Sequence, residues 1–127
     1  MYIENIKLLN YRNYSQLNLS FHPKINIIIG PNAQGKTNII EAIYYLGIGK
    51  SHRTNKDREV INWDSENSYI KGSIVHNNGK RILEIGLSKN KKKIIKNNGV
   101  VLEKMGELLG KANIVLFSPE DLKLIKE

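Results

Sequence analysis

Apolar positions recur first at every second residue, then in a block, then around most of a helix, and then at every second residue again. Residues 2–10, YIENIKLLN, read as a strand. In residues 17–21, Leu17, Leu19 and Phe21 alternate with Asn18 and Ser20, the pattern of a half-buried strand. Between them NYRNYS has turn chemistry, which predicts an antiparallel ribbon. Residues 25–29, INIII, are a nearly continuous β-branched run, as expected for a strand covered on both faces. Residues 36–46 are apolar on most of their circumference, through Ile39, Ile40, Ala42, Ile43 and Leu46. This predicts a helix buried against the sheet and stopped by Gly47 and Gly49.

A polar, basic loop, GKSHRTN, follows. Thr54 and Asp57 then have the spacing of a loose capping box opening a short helix through Val60, Ile61 and Trp63. From Ser68 a β-meander is expected, with NNG turns at Asn77 to Gly79 and at Asn97 to Gly99 and a further turn at Lys89 and Asn90. Residues 103–109 read as a short helix ended by Gly110, and residues 112–117, ANIVLF, as a buried strand. A last helix opens with Ser118 as N-cap, Pro119 at the first helical position and Glu120 and Asp121 in its first turn. There is no internal repeat. The predicted organisation is one unit, 1–127, divided into strands, loop and helices (1–66), a meander (67–102), and a helix, strand and helix start (103–127).

Composition changes this picture only in places. Hydrophobic residues at 40% and charged residues at 25% lie in the globular range and exclude a disordered chain. Without cysteine there is no disulfide framework or thiolate metal site. The N-terminus lacks a signal-peptide layout and the longest aliphatic run is too short to cross a bilayer, so a cytoplasmic protein with no membrane partner is expected. A net charge of +8 and a pI near 9.7 favour nucleotide or nucleic-acid partners, or else acidic residues elsewhere in a longer protein.

The chemistry lies between the INIII strand and the helix. Gly30-Pro31-Asn32-Ala33-Gln34-Gly35-Lys36-Thr37 fits the phosphate-binding pattern GxxxxGK[ST] in its required context, strand before and helix after. Such a loop turns tightly and aims successive backbone N–H groups inward, so that they and the helix N-terminus hold phosphate oxygens. Gly30 and Gly35 give the backbone freedom for close approach. Lys36 reaches the β- and γ-phosphates, and the Thr37 hydroxyl ligates Mg²⁺. The competing reading is a glycine-rich turn with an exposed lysine and a capping threonine. Hydrolysis also needs a carboxylate after a hydrophobic strand, and ANIVLF is followed by Ser-Pro-Glu-Asp, with no carboxylate at the strand end.

The stretch GPNAQGKTN, preceded by LLNYRNY and followed by GKSHRT and VLFSPEDLKLI, resembles the N-terminal part of the RecF family of DNA replication, recombination and repair proteins. The resemblance runs in order through the whole chain. It implies an α/β P-loop NTPase fold of the ABC/SMC head type, with a mixed sheet carrying the Walker A loop and one helix, plus an antiparallel β-meander. By the same resemblance the chain is roughly the first third of a slow ATPase. The Walker B pair, signature motif and histidine switch would fall beyond it, so the chain alone is expected to be inactive. Gly30 through Thr37 would be the Walker A loop and Asn38 the residue after it, binding ATP with Mg²⁺. Arg12 matches an arginine that reaches the nucleotide in related heads, the alternative being a solvated turn arginine. In the position of the Q-loop this chain has no glutamine. The family further implies an ATP-dependent homodimer, binding of duplex DNA and gap junctions, a place in the SOS response, and cooperation with RecO and RecR to load RecA at single-strand gaps.

Two basic clusters remain, Lys89, Lys91, Lys92 and Lys93 at a hairpin tip and Lys50, His52 and Arg53 after the helix. Either could neutralise DNA phosphates or be a solvated surface, and the second could equally meet nucleotide or a dimer partner. His22, His52 and His76 have no metal-ligand spacing. Trp63 and the six tyrosines read as core and boundary residues, and no aromatic interleaving points to base stacking. The competing functions are a small P-loop kinase, which would need an acceptor site and lid arginines, and a DNA-binding module with a vestigial loop.

Overall fold

The structure, a computed structural model, describes residues 2–21, 34–76, 79–104 and 107. Strands β1 (Tyr2–Tyr11), β2 (Tyr14–Ser20), β3 (Asn67–His76), β4 (Gly79–Ser88), β5 (Ile94–Asn97) and β6 (Val100–Val101) form one sheet in the order β2-β1-β3-β4-β5-β6. Every described pairing is antiparallel. The N-terminal ribbon and the meander are therefore continuous, because β1 pairs with β2 along one edge and with β3 along the other.

Register turns the alternating pattern into a core. Leu8 lies opposite Ile70, Ile6 opposite Gly72, Ile70 opposite Ile85, Gly72 opposite Leu83, and Ile85 opposite Ile95. Side chains two apart share a face, so Ile6, Leu8, Ile70, Ile74, Leu83, Ile85, Leu87 and Ile95 are buried together. The helix α1 (Gln34–Ile48) covers them with Ala42, Tyr45 and Leu46. These three, with Asn38 and Glu41, recur at helical spacing, so the inward stripe is polar near the helix start and apolar near its end. Tyr45 meets Tyr11 edge-on, with ring centroids 6.5 Å apart.

Several local expectations are corrected. Gly47 lies inside α1, which runs on to Ile48, and the chain leaves the helix only at Gly49, whose φ of 76° is the left-handed geometry that glycine tolerates. Thr54 does not cap a helix. Its hydroxyl donates to Glu59 and accepts from the Lys56 N–H, and only a 3-10 turn, Asp57–Val60, forms. Trp63 is not in the core: it is 94% exposed. Val60 and Ile61 are buried, Ile61 bridging to Tyr11. The chain then turns outward as the Asn62 side chain accepts from the Asp64 N–H at 3.0 Å and its carbonyl from the Ser65 N–H at 3.0 Å.

The expected strand at 25–29, residues 30–33, the strand at 112–117 and the helix from Ser118 lie outside the described residues, as does most of the helix at 103–109. Among the described residues no helix is long and apolar enough to cross a membrane.

Helix and sheet meet most closely at Gly72, where a Cβ would come within 2.3 Å of Leu46 Cδ1. Glycine inside a strand normally weakens it, so replacement by alanine would ordinarily help. Here Gly72→Ala is expected to lower stability by about 1–3 kcal/mol through overpacking. In a Leu46→Ala background the same change becomes neutral or stabilising, and a urea-denaturation double-mutant cycle reads the reversal of sign.

Candidate nucleotide-binding site

The β1–β2 hairpin reverses over Arg12 and Asn13, with Tyr11 opposite Tyr14. Arg12 takes a left-handed backbone at φ 48°, and Asn10 does so at φ 50°. For arginine this conformation costs on the order of 1–2 kcal/mol, and neighbouring contacts hold it in place. The Arg12 N–H donates to the Val60 carbonyl at 2.7 Å, the Asn62 Nδ2 donates to the Arg12 carbonyl at 2.8 Å, and the Asn62 N–H donates to the Asn10 carbonyl at 2.8 Å. The anchored turn delivers the guanidinium to α1.

It meets Glu41, a carboxylate whose side chain is completely buried. Arg12 grips it at two points, Nε to Oε1 at 2.6 Å and Nη2 to Oε2 at 2.8 Å. The Tyr11 hydroxyl donates to Oε1 at 2.6 Å and the Ser51 hydroxyl to Oε2 at 2.6 Å. Burial by itself would raise the Glu41 pKa. The bonds from Arg12, Ser51 and Tyr11 outweigh it and hold the carboxyl below its ordinary value. Conversely, burial first and Glu41 second push the Tyr11 hydroxyl far above its usual pKa, so it remains a donor.

A second tier surrounds this carboxylate. Asn38, one turn earlier on α1 and also buried, donates through Nδ2 to Asn13 Oδ1 at 2.8 Å and accepts from Arg53 Nη1 at 2.8 Å. Arg53 also stands 3.7 Å from Glu41 Oε1. Ser51 is both donor and acceptor: its oxygen receives the Arg53 N–H at 2.9 Å, which fixes the loop that follows α1. Hairpin tip, helix and loop thus converge on the inner face of the first two turns of α1, with two guanidinium groups around one carboxylate.

The backbone of Gln34, Gly35, Lys36 and Thr37 forms the first turn of α1. That turn has no acidic side chain, so the positive end of the helix dipole is open to an anion. Amide donors, a lysine ammonium and a threonine hydroxyl are a donor set suited to phosphate with a hard divalent cation. Gly30, Pro31, Asn32 and Ala33, and the side chains of Lys36 and Thr37, lie outside the described residues. Among the described residues no three His, Cys, Asp or Glu groups are placed to hold a metal.

The AAA domain family matches residues 5–126. The chain belongs to that family. It is 54% identical over all 127 residues to the DNA replication and repair protein RecF of Alkaliphilus oremlandii, of which it covers 35%. It spans about a third of the length of the curated relatives it matches. A solved structure of the recombination mediator protein RecF with ATP superposes at a TM-score of 0.87 and 40% identity, over 99% of this chain and 34% of that one. A structure of SMC ATPases superposes at 0.76 with 19% identity, over 99% of this chain and 98% of that one, and shares the fold. The RecF resemblance carried by the motifs extends through the whole chain, and the fold is that of a P-loop head of the ABC/SMC type.

Of the candidates from sequence, the structure brings Arg12 and Asn38 together, Arg12 through Glu41 and Asn38 through Asn13 and Arg53. Glu41, Ser51 and Asn13 had not been singled out. Glu41 did carry a signal, as the lone carboxylate in the otherwise apolar IIEAIYYL, one helical turn after Asn38. The cluster of Lys50, His52 and Arg53 divides. Arg53 is committed to Asn38 and Glu41, and His52 leans on Tyr44 at 5.1 Å with its pKa lowered by partial burial, while Lys50 is exposed.

Glu41→Ala removes the only carboxylate between two arginines and is expected to cost about 3 kcal/mol, the low end for a broken buried pair because Arg12 remains 22% exposed. Since the folded Glu41 pKa is depressed, its contribution is present above the ordinary glutamate value of about 4.3 and is lost as pH falls through the lower folded value. Glu41→Gln should therefore flatten the acid limb of a stability-versus-pH curve measured by denaturant titration; an unchanged limb would contradict the network.

Proposed function

We propose that this chain forms the ATP-binding front of a DNA replication and repair protein of the RecF kind. The observation that carries this is a GxxxxGKT motif whose second half opens α1 with an acid-free first turn, in a chain similar throughout its length to RecF solved with ATP. In this reading the amides of Gly30, Pro31, Asn32, Ala33, Gln34 and Gly35 cradle the phosphates, Lys36 neutralises the β- and γ-oxygens, and Thr37 ligates Mg²⁺. The metal supplies charge neutralisation at the phosphates. Asn38 ties the helix start to the hairpin tip and to Arg53. Arg12 spends Nε–H and one Nη2–H on Glu41, so its remaining guanidinium N–H groups would be its donors toward the nucleotide. The buried network ties the hairpin tip, Asn38 and Arg53 to the inner face of α1, which supports a helix start that is ordered before ATP arrives.

We further propose the wider role that the motif resemblance implies: a cytoplasmic, DNA-binding protein that dimerises around ATP and acts with RecO and RecR to load recombinase at single-strand gaps. Its excess of basic residues supports a polyanionic partner. In the full-length protein, Lys36→Ala removes one charge-assisted contact and is expected to weaken ATP binding roughly 10- to 150-fold by calorimetry, with an unchanged circular dichroism spectrum. Undiminished affinity in that variant would mean that the loop does not hold phosphate.

A further inference from the structure

We infer that Trp63 and the β4–β5 turn form a stacking site for unpaired nucleobases. This deepens the DNA-binding reading above and rests on it. The indole is 94% exposed, although burying such a side chain would ordinarily contribute a few kcal/mol. The loop that displays it is firmly held. Asn62 bonds to the hairpin tip through its backbone N–H and its Nδ2, the Ser65 N–H returns to the Asn62 carbonyl, and the Lys89 N–H donates to the Glu66 carbonyl at 3.0 Å. An aromatic face on a fixed loop needs no ordering when a base stacks on it.

The surroundings select the ligand. Lys89 Nζ donates to the Trp63 carbonyl at 3.2 Å, which ties the lysine-rich turn to the backbone of the residue that carries the indole. Lys91 and Lys92 are exposed on that turn, while Lys93 is paired with Asp57 at 3.0 Å. Two carboxylates share the corner: Asp64 is exposed, and Glu66 accepts from Asn90 Nδ2 at 3.2 Å. Asn62, Asp64, Ser65 and Glu66 flank the indole in sequence, so it does not continue an apolar face of the kind a protein partner covers. An exposed π-face on a loop bonded to a lysine-rich turn instead suits a single strand, the cations meeting phosphates and the ring meeting a base. A paired base inside a blunt duplex has no face to offer it.

The test uses the full-length protein, with fluorescence anisotropy of labelled oligothymidine and of a blunt duplex of equal length. Trp63→Ala should weaken single-strand binding roughly 5- to 150-fold while duplex binding stays within twofold, and Trp63→Phe should recover most of the loss. Lys91→Ala with Lys92→Ala should weaken both DNAs and reduce the salt dependence of each. The component of indole emission that Trp63→Phe removes should be quenched by the single strand and not by the duplex. Equal losses on both DNAs in Trp63→Ala, or no loss in that variant, overturn the stacking site while leaving the DNA-binding reading intact. A wild-type protein that binds neither DNA overturns both.

Discussion

A carboxylate sealed away from water has to be answered by donors, and the architecture around α1 is arranged to answer one. Desolvating an ion costs several kcal/mol, which only close and numerous hydrogen bonds offset. Glu41 obtains them from three separated stretches of chain: Tyr11 and Arg12 from the hairpin, Ser51 from the loop after the helix, and Arg53 at longer range. Displacing any of these segments strips the buried carboxylate of a donor. The left-handed turn at Arg12, unfavourable by itself, persists because the guanidinium it presents is required there.

Much of the sheet was legible because period-two alternation and NNG turns are local signals. Leu17, Leu19 and Phe21, the strands of the meander and the helix after the phosphate loop could all be read without knowing what they packed against. The departures have tertiary causes. Gly47 continues the helix because its buried neighbours, Leu46 and Tyr45, keep the inward face occupied. Trp63 looked like core by composition, but Ile61 bridges to Tyr11 and the Asn62 turn then sends the next side chain into water. Of the site, the phosphate loop was visible as a motif. The carboxylate hub was not, because nothing local says that residues 12, 41 and 51 will meet.

The same contacts join two regions that the sequence keeps apart. Asn62 holds the carbonyl of Arg12 with its side chain and that of Asn10 with its backbone. On the far side of the same loop, Lys89 and Asn90 of the β4–β5 turn are bonded to Trp63 and Glu66. Tyr45 adds a second link, its hydroxyl bonded to Asp57 at 2.7 Å, whose other oxygen pairs with Lys93. The nucleotide helix and the lysine-rich turn are thus connected by short runs of polar bonds across one end of the sheet.

Gly72 acts on the helix as a locating pin acts on a machined part. The missing Cβ in β3 leaves room for the Leu46 side chain, one of the contacts that locate α1 on the sheet. Thr37 stands nine residues before Leu46, which at the α-helical rise is about 14 Å along the axis. A missing side chain in the middle of a strand thereby bears on the height at which the opposite end of the helix stands above the sheet.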